Sequence, residues 1–190
     1  MSSFTIIGTG NMGTAIAGIL TGGGATVESI AHADEPTSFA GDIVILAVPF
    51  TALPEIAEKY RTHLAGKAVV DITNTVDFAT FTPAQFEAGS GAADLAEKLP
   101  ESKILKAFNT NLVPTLASKS VGGRTTTVII AGDDADAKAE LTAALTAGGL
   151  DAVDAGPLAR ARELEAVGFL QMALVVGGQM EWSDALGVIK

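Results

Sequence analysis

A chain of 190 residues is the length of one domain, or of one domain with a small extension, and its 48% hydrophobic and 18% charged residues mark it as globular rather than disordered. A formal charge of −10, with only 12 lysines and arginines, argues against nucleic acid or an anionic membrane as partner, and the lack of cysteine removes disulfides, thiolate metal sites and cysteine nucleophiles. The start shows no secretory segment, and the longest apolar run, AVGFLQMALVVGG, falls short of the about 20 residues that a membrane span requires. The expected compartment is the cytoplasm.

Residues 4–7 (FTII) read as a strand. Gly8, Gly10 and Gly13 follow as G-x-G-x-x-G, and then a helix whose Met12, Ala15, Ile16, Ile19 and Leu20 share one face until Gly22, Gly23 and Gly24 end it. A second strand, TVESI, is separated from a third, DIVILAV, by only about ten residues, whereas a parallel crossover through a helix takes about a dozen or more. The strand that usually comes third is therefore expected to be missing, with DIVILAV beside the first strand on the side away from the second. Helices are expected over Ala52–Leu64, Ala92–Leu99 and Asp134–Ala147, the last with Asp133 as N-cap. Strands KAVVDI, KILKAF and TTTVII lie between them, and Pro157 to about Trp182 reads as one long helix. Strands that are continuously apolar suit a parallel sheet covered on both faces. The expected fold is α/β: a Rossmann-type, doubly wound, mainly parallel sheet with an abbreviated connection after strand two and a C-terminal helix. Its expected division is a dinucleotide-binding domain over 1–156 and a helical extension over 157–190.

Each motif glycine has its own reason. Gly8 allows the turn out of the strand, Gly10 lets the backbone approach a pyrophosphate, and Gly13 lets the helix pack against the sheet. The amides near Asn11 and Met12 would hold the phosphates at the positive end of the helix dipole, which is how so acidic a chain could bind a dianion. At the end of the second strand, where the ribose of NAD or the 2′-phosphate of NADP is read, the sequence is ESIAHADEP. Asp34 comes late for the first role and no arginine is present for the second. His32 is either the contact to the 2′-phosphate or a solvated loop residue. Three further segments end strands on the ligand side: Ala47–Phe50, Asp71–Thr75 and Ala107–Asn111. In them Ala47, Val48 and Pro49 border the crevice, and Asn74 and Asn109 are candidates for the nicotinamide carboxamide or ribose, or are turn asparagines. Lys106 and Asp71 are assigned structural roles. Arg160, Arg162, Glu163 and Glu165 read as a solvated or intersubunit cluster. No catalytic acid, base or metal ligand is assigned.

Taken in order, GTGNMG, the strand ending AVP, VVDITN, LKAFNT, AGDD and DAGPLARARELE resemble the NADP-dependent F420 oxidoreductase family, and within it the short bacterial dinucleotide-binding oxidoreductases. The same unit resembles the cytosolic domain of the six-transmembrane metalloreductases. The resemblance implies NADP, with NAD possible, on the glycine turn, a flavin- or deazaflavin-like acceptor stacked on the nicotinamide, and a homodimer. It places Thr9, Gly10, Asn11 and Met12 at the pyrophosphate, Val48 and Pro49 on the adenosine side, and Asn74 and Asn109 by the nicotinamide. Many relatives carry Ser-Arg or Ser-Lys where this chain has His32 and Ala33, and relatives acting on deazaflavin often have a histidine at the place of Asn109. The alternatives are a non-catalytic NADP-binding redox sensor and a hydroxyacid dehydrogenase or imine-reductase-like enzyme. Carbonyl chemistry needs a proton donor that the chain does not place at a strand end, and transfer between stacked rings needs mainly positioning.

Overall fold

In the computed structural model, which describes residues 2–188, β1 (Ser3–Ile7) passes through the glycine turn into α1 (Asn11–Gly22), and β2 (Thr26–Ile30) returns beside β1. Without an intervening helix, β3 (Ile43–Leu46) pairs parallel along the other edge of β1, Phe4 opposite Ile43 and Ile7 opposite Leu46. The abbreviated connection thus does what its length requires. It is held down by Glu28, whose Oε2 accepts the Ala40 N–H at 3.1 Å and the Thr5 hydroxyl at 3.1 Å, and by the Gly41 N–H donating to Thr5 Oγ1 at 3.0 Å. A Cβ at Gly41 would lie 2.3 Å from the Thr5 nitrogen, so only glycine allows this crossing.

Then follow α2 (Leu53–Leu64), β4 (Ala68–Asp71), a hairpin of β5 (Val76–Asp77) and β6 (Thr82–Pro83), α3 (Gly91–Lys98), β7 (Lys103–Lys106) and α4 (Val113–Ser118). A second hairpin, β8 (Ser120–Val121) and β9 (Arg124–Thr125), leads to β10 (Thr127–Gly132), α5 (Ala135–Ala147), β11 (Asp151–Gly156) and α6 (Ala161–Val176). The sheet order is β11-β10-β7-β4-β3-β1-β2, with β10 antiparallel to β7 and every other neighbouring pair parallel. Alternate residues of the central strands enter opposite cores. Phe4, Ile6, Ile45 and Val70 meet Ile16, Leu20 and Leu141, while Ile7, Val44, Leu46 and Val69 meet Leu53, Leu64 and Leu95. This two-sided burial is why the strand sequences are apolar without alternation.

Several local expectations change. The N-cap of α5 is Asp134, whose Oδ1 accepts the Ala137 N–H at 2.8 Å; Asp133 instead accepts the Leu158 N–H at 3.0 Å. The tail does not run as one helix to Trp182. A 3₁₀ turn over Leu158–Arg160 precedes α6, which stops at Val176 because Gly177 and Gly178 follow, the latter at φ +69°. β11 and α4 are additional elements, the first a half-exposed edge strand interrupted by aspartates and the second only six residues long.

Glu165 is not part of a solvated cluster. It is buried, and Lys106, fully enclosed, joins it to Asp71: the ammonium lies 2.7 Å from Asp71 Oδ2, 2.7 Å from the Thr73 carbonyl and 3.0 Å from Glu165 Oε1. Glu165 also accepts the N–H groups of Gly91 at 3.0 Å and Ala92 at 3.2 Å, and the Thr75 hydroxyl at 3.2 Å. One ammonium faces two carboxylates, and the first turn of α3 meets the remaining negative charge. Lys106→Met leaves both carboxylates enclosed without a counter-charge. The variant is expected to lose about 3–5 kcal/mol of stability in urea denaturation, and an unchanged midpoint would contradict this account of how α6 is held.

Candidate functional site

A cleft of about 1260 Å³ opens at the carboxyl ends of the parallel strands, where β1 has β2 on one side and β3 on the other. In open α/β sheets such a switch point is where ligands bind. Its wall is built from Gly10, Asn11 and Met12 at the start of α1, Ala47–Thr51 after β3, Ile72–Asn74 after β4, the β5–β6 hairpin, Phe108, Asn109 and Asn111 after β7, Leu112–Pro114 leading into α4, and Trp182.

The three glycines have distinct surroundings. A Cβ at Gly8 would lie 2.1 Å from the Ala47 carbonyl oxygen, and its φ of +114° excludes most side chains; its N–H is already given to the Ile30 carbonyl at 2.9 Å. A Cβ at Gly13 would lie 2.1 Å from the Gly8 carbonyl oxygen, so this glycine seats the helix against the turn. At Gly10 a Cβ would meet nothing within 4 Å, and φ is an ordinary −72°. The protein's own packing therefore does not account for Gly10. As N-cap it has no side chain to satisfy the first-turn N–H groups of Asn11, Met12 and Gly13, and no acidic residue stands in that turn. Together these features make an open cradle suited to an anion.

Of the expected contacts, Gly10, Asn11, Met12, Ala47, Val48, Pro49, Asn74 and Asn109 all line the cleft. Gly8 and Gly13 lie behind the turn, and Thr9 is exposed beside it. His32 is exposed on the loop after β2 and does not line the cleft, although the Gly8–Ile30 hydrogen bond brings the start of that loop to the glycine turn.

Asn74 and Asn109 are joined to each other. Asn74 Nδ2 donates to the Asn109 carbonyl at 2.7 Å, and Asn109 Nδ2 donates to Asn74 Oδ1 at 3.0 Å and to the Leu164 carbonyl of α6 at 2.8 Å. Helix α6 crosses so close that a Cβ at Gly168 would lie 2.2 Å from Asn74 Oδ1. Phe108, at φ +61°, turns the chain sharply after β7 and so directs Asn109 toward Asn74. Thr73, Asn111, the hairpin residues Asp77 and Phe78, and Trp182 were not singled out from sequence. The first two stand inside the strand-end segments DITNT and AFNTN, which was their available signal.

Asp77 is the single titratable side chain among the described lining residues. The Ala79 N–H and then the Thr80 hydroxyl hold its carboxyl below the usual carboxylate range. Among the described residues no cluster of three or more His, Asp or Glu is placed to hold a metal, and no helix is long and apolar enough to cross a membrane.

Residues 25–75 match the family described as NADP oxidoreductase, coenzyme F420-dependent. Over those residues the sequence is similar to that family. A crystal structure from Arthrobacter sp. FB24, described as a candidate F420-dependent NADP reductase, shares the fold over 100% of both chains with a TM-score of 0.83 at 23% identity. A hypothetical protein of Sinorhizobium meliloti is 27% identical, with a TM-score of 0.71 over 84% of this chain and 87% of its own. Metalloreductase STEAP3 of Rattus norvegicus is 31% identical over 179 residues, 85% of this chain. The chain spans only 35% of the length of that curated relative. By its description the F420-dependent family consists of NADP oxidoreductases, and the fold is the Rossmann-like one of dinucleotide-binding reductases.

The glycine geometry gives a contrast that needs no ligand. Gly13→Ala should lower stability by about 1–3 kcal/mol through overpacking, whereas Gly10→Ala should leave the thermal midpoint within a degree or so of the parent, its Cβ entering open space. Differential scanning calorimetry on the two variants checks this.

Proposed function

We propose that the cleft binds NADP(H) and that the protein transfers hydride between it and a planar flavin- or deazaflavin-like acceptor. The observation that carries the reading is the open cradle at Gly10, continuous with a cleft floor of asparagines. Under this reading the pyrophosphate lies against the Asn11 and Met12 amides, with Thr9 exposed beside it. Ala47, Val48 and Pro49 flank the adenosine side, His32 stands by the 2′-phosphate, and the nicotinamide lies toward Asn74 and Asn109. NADPH, when bound, supplies the hydride; the chain positions it and excludes water with Ile72, Phe108 and Leu112.

The choice of a ring acceptor is supported by the lining. Among the described residues of the cleft there is no histidine, lysine, tyrosine or cysteine, the groups that most often hand a proton to a developing alkoxide. His63 and Tyr60 lie elsewhere: His63 Nε2 is 3.0 Å from the Thr37 carbonyl, and Tyr60 is buried against Phe39, ring centroids 5.1 Å apart. Two rings stacked at about 3–3.5 Å need little beyond placement. Exposed Phe78 and Trp182 at the cleft add flat apolar surface suited to such a ring.

We also propose a homodimer. The tail residues more apolar than one helix readily hides are Phe169, Leu170, Met172, Leu174 and Val175; of these Val175 is buried within the protein, Phe169 packs on Phe81, Met172 and Leu174 are half-buried, and Leu170 is 50% exposed, next to Val176 at 64%. Light scattering at micromolar concentration should give twice the chain mass; a monomer would refute this part.

For the main reading, isothermal calorimetry should show NADP(H) binding, lost in Gly10→Val with the fold intact, and His32→Ala should weaken NADP(H) while sparing NAD(H). NADPH oxidation should proceed with riboflavin, FMN or a deazaflavin rather than with aldehydes and ketones. Turnover confined to carbonyl compounds would overturn the acceptor class. Binding without turnover on any acceptor would favour a redox sensor.

A further inference from the structure

Gln171 interrupts the apolar run of α6, yet it is 1% exposed and both ends of its amide are in use. Its Nε2 donates to the Thr110 carbonyl at 3.3 Å, in the loop after β7, and its Oε1 accepts the Leu186 N–H at 3.0 Å. The chain beyond α6 is thereby tied back to a strand-end loop of the cleft. A second attachment lies nearer the helix, where the Leu174 carbonyl accepts the N–H groups of Gln179 at 2.8 Å and Met180 at 3.2 Å. Between the two attachments residues 181–184 close a turn: the Glu181 N–H donates to Asp184 Oδ2 at 2.8 Å, and the Asp184 N–H donates to the Glu181 carbonyl at 3.0 Å. Trp182 stands in this turn, lines the cleft and is 55% exposed. We infer that Gln171 is a positioning residue whose buried amide latches this segment in place, so that Trp182 forms the wall on which the hydride acceptor's ring stacks. This rests on the cleft being the site of NADP(H) and a planar acceptor, as proposed above.

An apolar side chain at position 171 would suit the helix, but it would leave the Leu186 N–H and the Thr110 carbonyl without these partners. The glutamine therefore serves the segment beyond the helix rather than the helix itself. An indole half open to water, with its backbone tied down on both sides, is a surface ordered in advance of whatever covers it, and such ordering lowers the cost of binding. The place of the latch selects the occupant. Thr110 lies between Asn109 and Asn111, and Gln171 comes about one turn after Gly168, where α6 rests on the Asn74–Asn109 pair. Leu186 is four residues from Trp182, roughly 14 Å of chain at most, so the indole is tethered to the asparagine end of the cleft. With the phosphates at the Gly10 cradle, that is the end where a second ring meets the nicotinamide. An indole and a flavin-type ring bind face to face by offset stacking and apolar burial, without any charged group.

Trp182 is the single tryptophan of the chain, so its emission reports on this turn alone. In the full chain loaded with NADP+, riboflavin should quench that emission saturably. Gln171→Met should raise both the quenching of Trp182 by acrylamide and the KM for riboflavin in NADPH oxidation by about threefold, while the calorimetric affinity for NADP+ stays within about twofold of the parent. Leu186→Pro, which removes the latched N–H at an exposed position, should act in the same way and makes the test even if Gln171→Met does not fold. Trp182→Ala should raise the riboflavin KM about threefold to tenfold with kcat little altered, and Trp182→Phe, which keeps a flat ring, should recover most of the loss. Parental acrylamide quenching in the latch variants overturns the role of Gln171, and a parental KM in Trp182→Ala overturns the stacking wall. If Trp182→Ala halves the mass seen by light scattering and leaves riboflavin turnover intact, the indole belongs to a subunit interface and the inference falls. A parent that binds NADP+ but neither binds nor reduces riboflavin removes the acceptor reading beneath it.

Discussion

A lysine shut away from water between two carboxylates sets the geometry of this protein's cleft. Lys106 on β7, Asp71 on β4 and Glu165 on α6 come from elements distant in sequence, and the one ammonium is the counter-charge of both carboxylates. The Lys106 ammonium also donates to the Thr73 carbonyl, while Asp71 Oδ1 accepts the Thr73 N–H at 2.8 Å, so the chain leaving β4 is fixed on both sides just before Asn74. Glu165 in turn anchors α6 less than one turn before Gly168, where the helix rests on the Asn74–Asn109 pair. The ion cluster and the cleft floor are therefore one construction: what holds α6 also aligns the two strand ends that present Thr73, Asn74 and Asn109.

Much of the fold was legible because the physics that writes it is local. Continuous apolar strands, the glycine motif opening a helix, and a connection too short for a helix predicted the sheet, the deleted strand and the placing of β3 beside β1. What the sequence concealed was tertiary. Glu165 sits among Arg160, Arg162 and Glu163, and nothing in that run distinguishes the one carboxylate that turns inward; its partners lie 59 and 94 positions away along the chain, at Lys106 and Asp71. Asp134 and Asp133 are adjacent aspartates, and the choice of cap depends on which one the 3₁₀ turn at Leu158 occupies. At the site, the sequence pointed to Asn74 and Asn109 but not to their mutual hydrogen bonds, which consume most of their donors.

The electrostatics of the cleft follow the same economy of charge. A chain of net charge −10 presents no lysine or arginine along the described lining. The groups there suited to an anion are the backbone N–H groups at the head of α1, where Gly10 leaves the approach open. Asp77, with its carboxyl kept in the charged form by the Ala79 and Thr80 contacts, stands on the hairpin near the asparagine floor. That end favours a neutral or cationic group, and the helix end favours an anion.

The most direct test of this account is a crystal structure with NADP+ bound. The account predicts pyrophosphate oxygens within hydrogen-bond distance of the Asn11 and Met12 amides and the nicotinamide ring beside Asn74 and Asn109. A dinucleotide found in the reverse orientation, or outside the cleft, would contradict it.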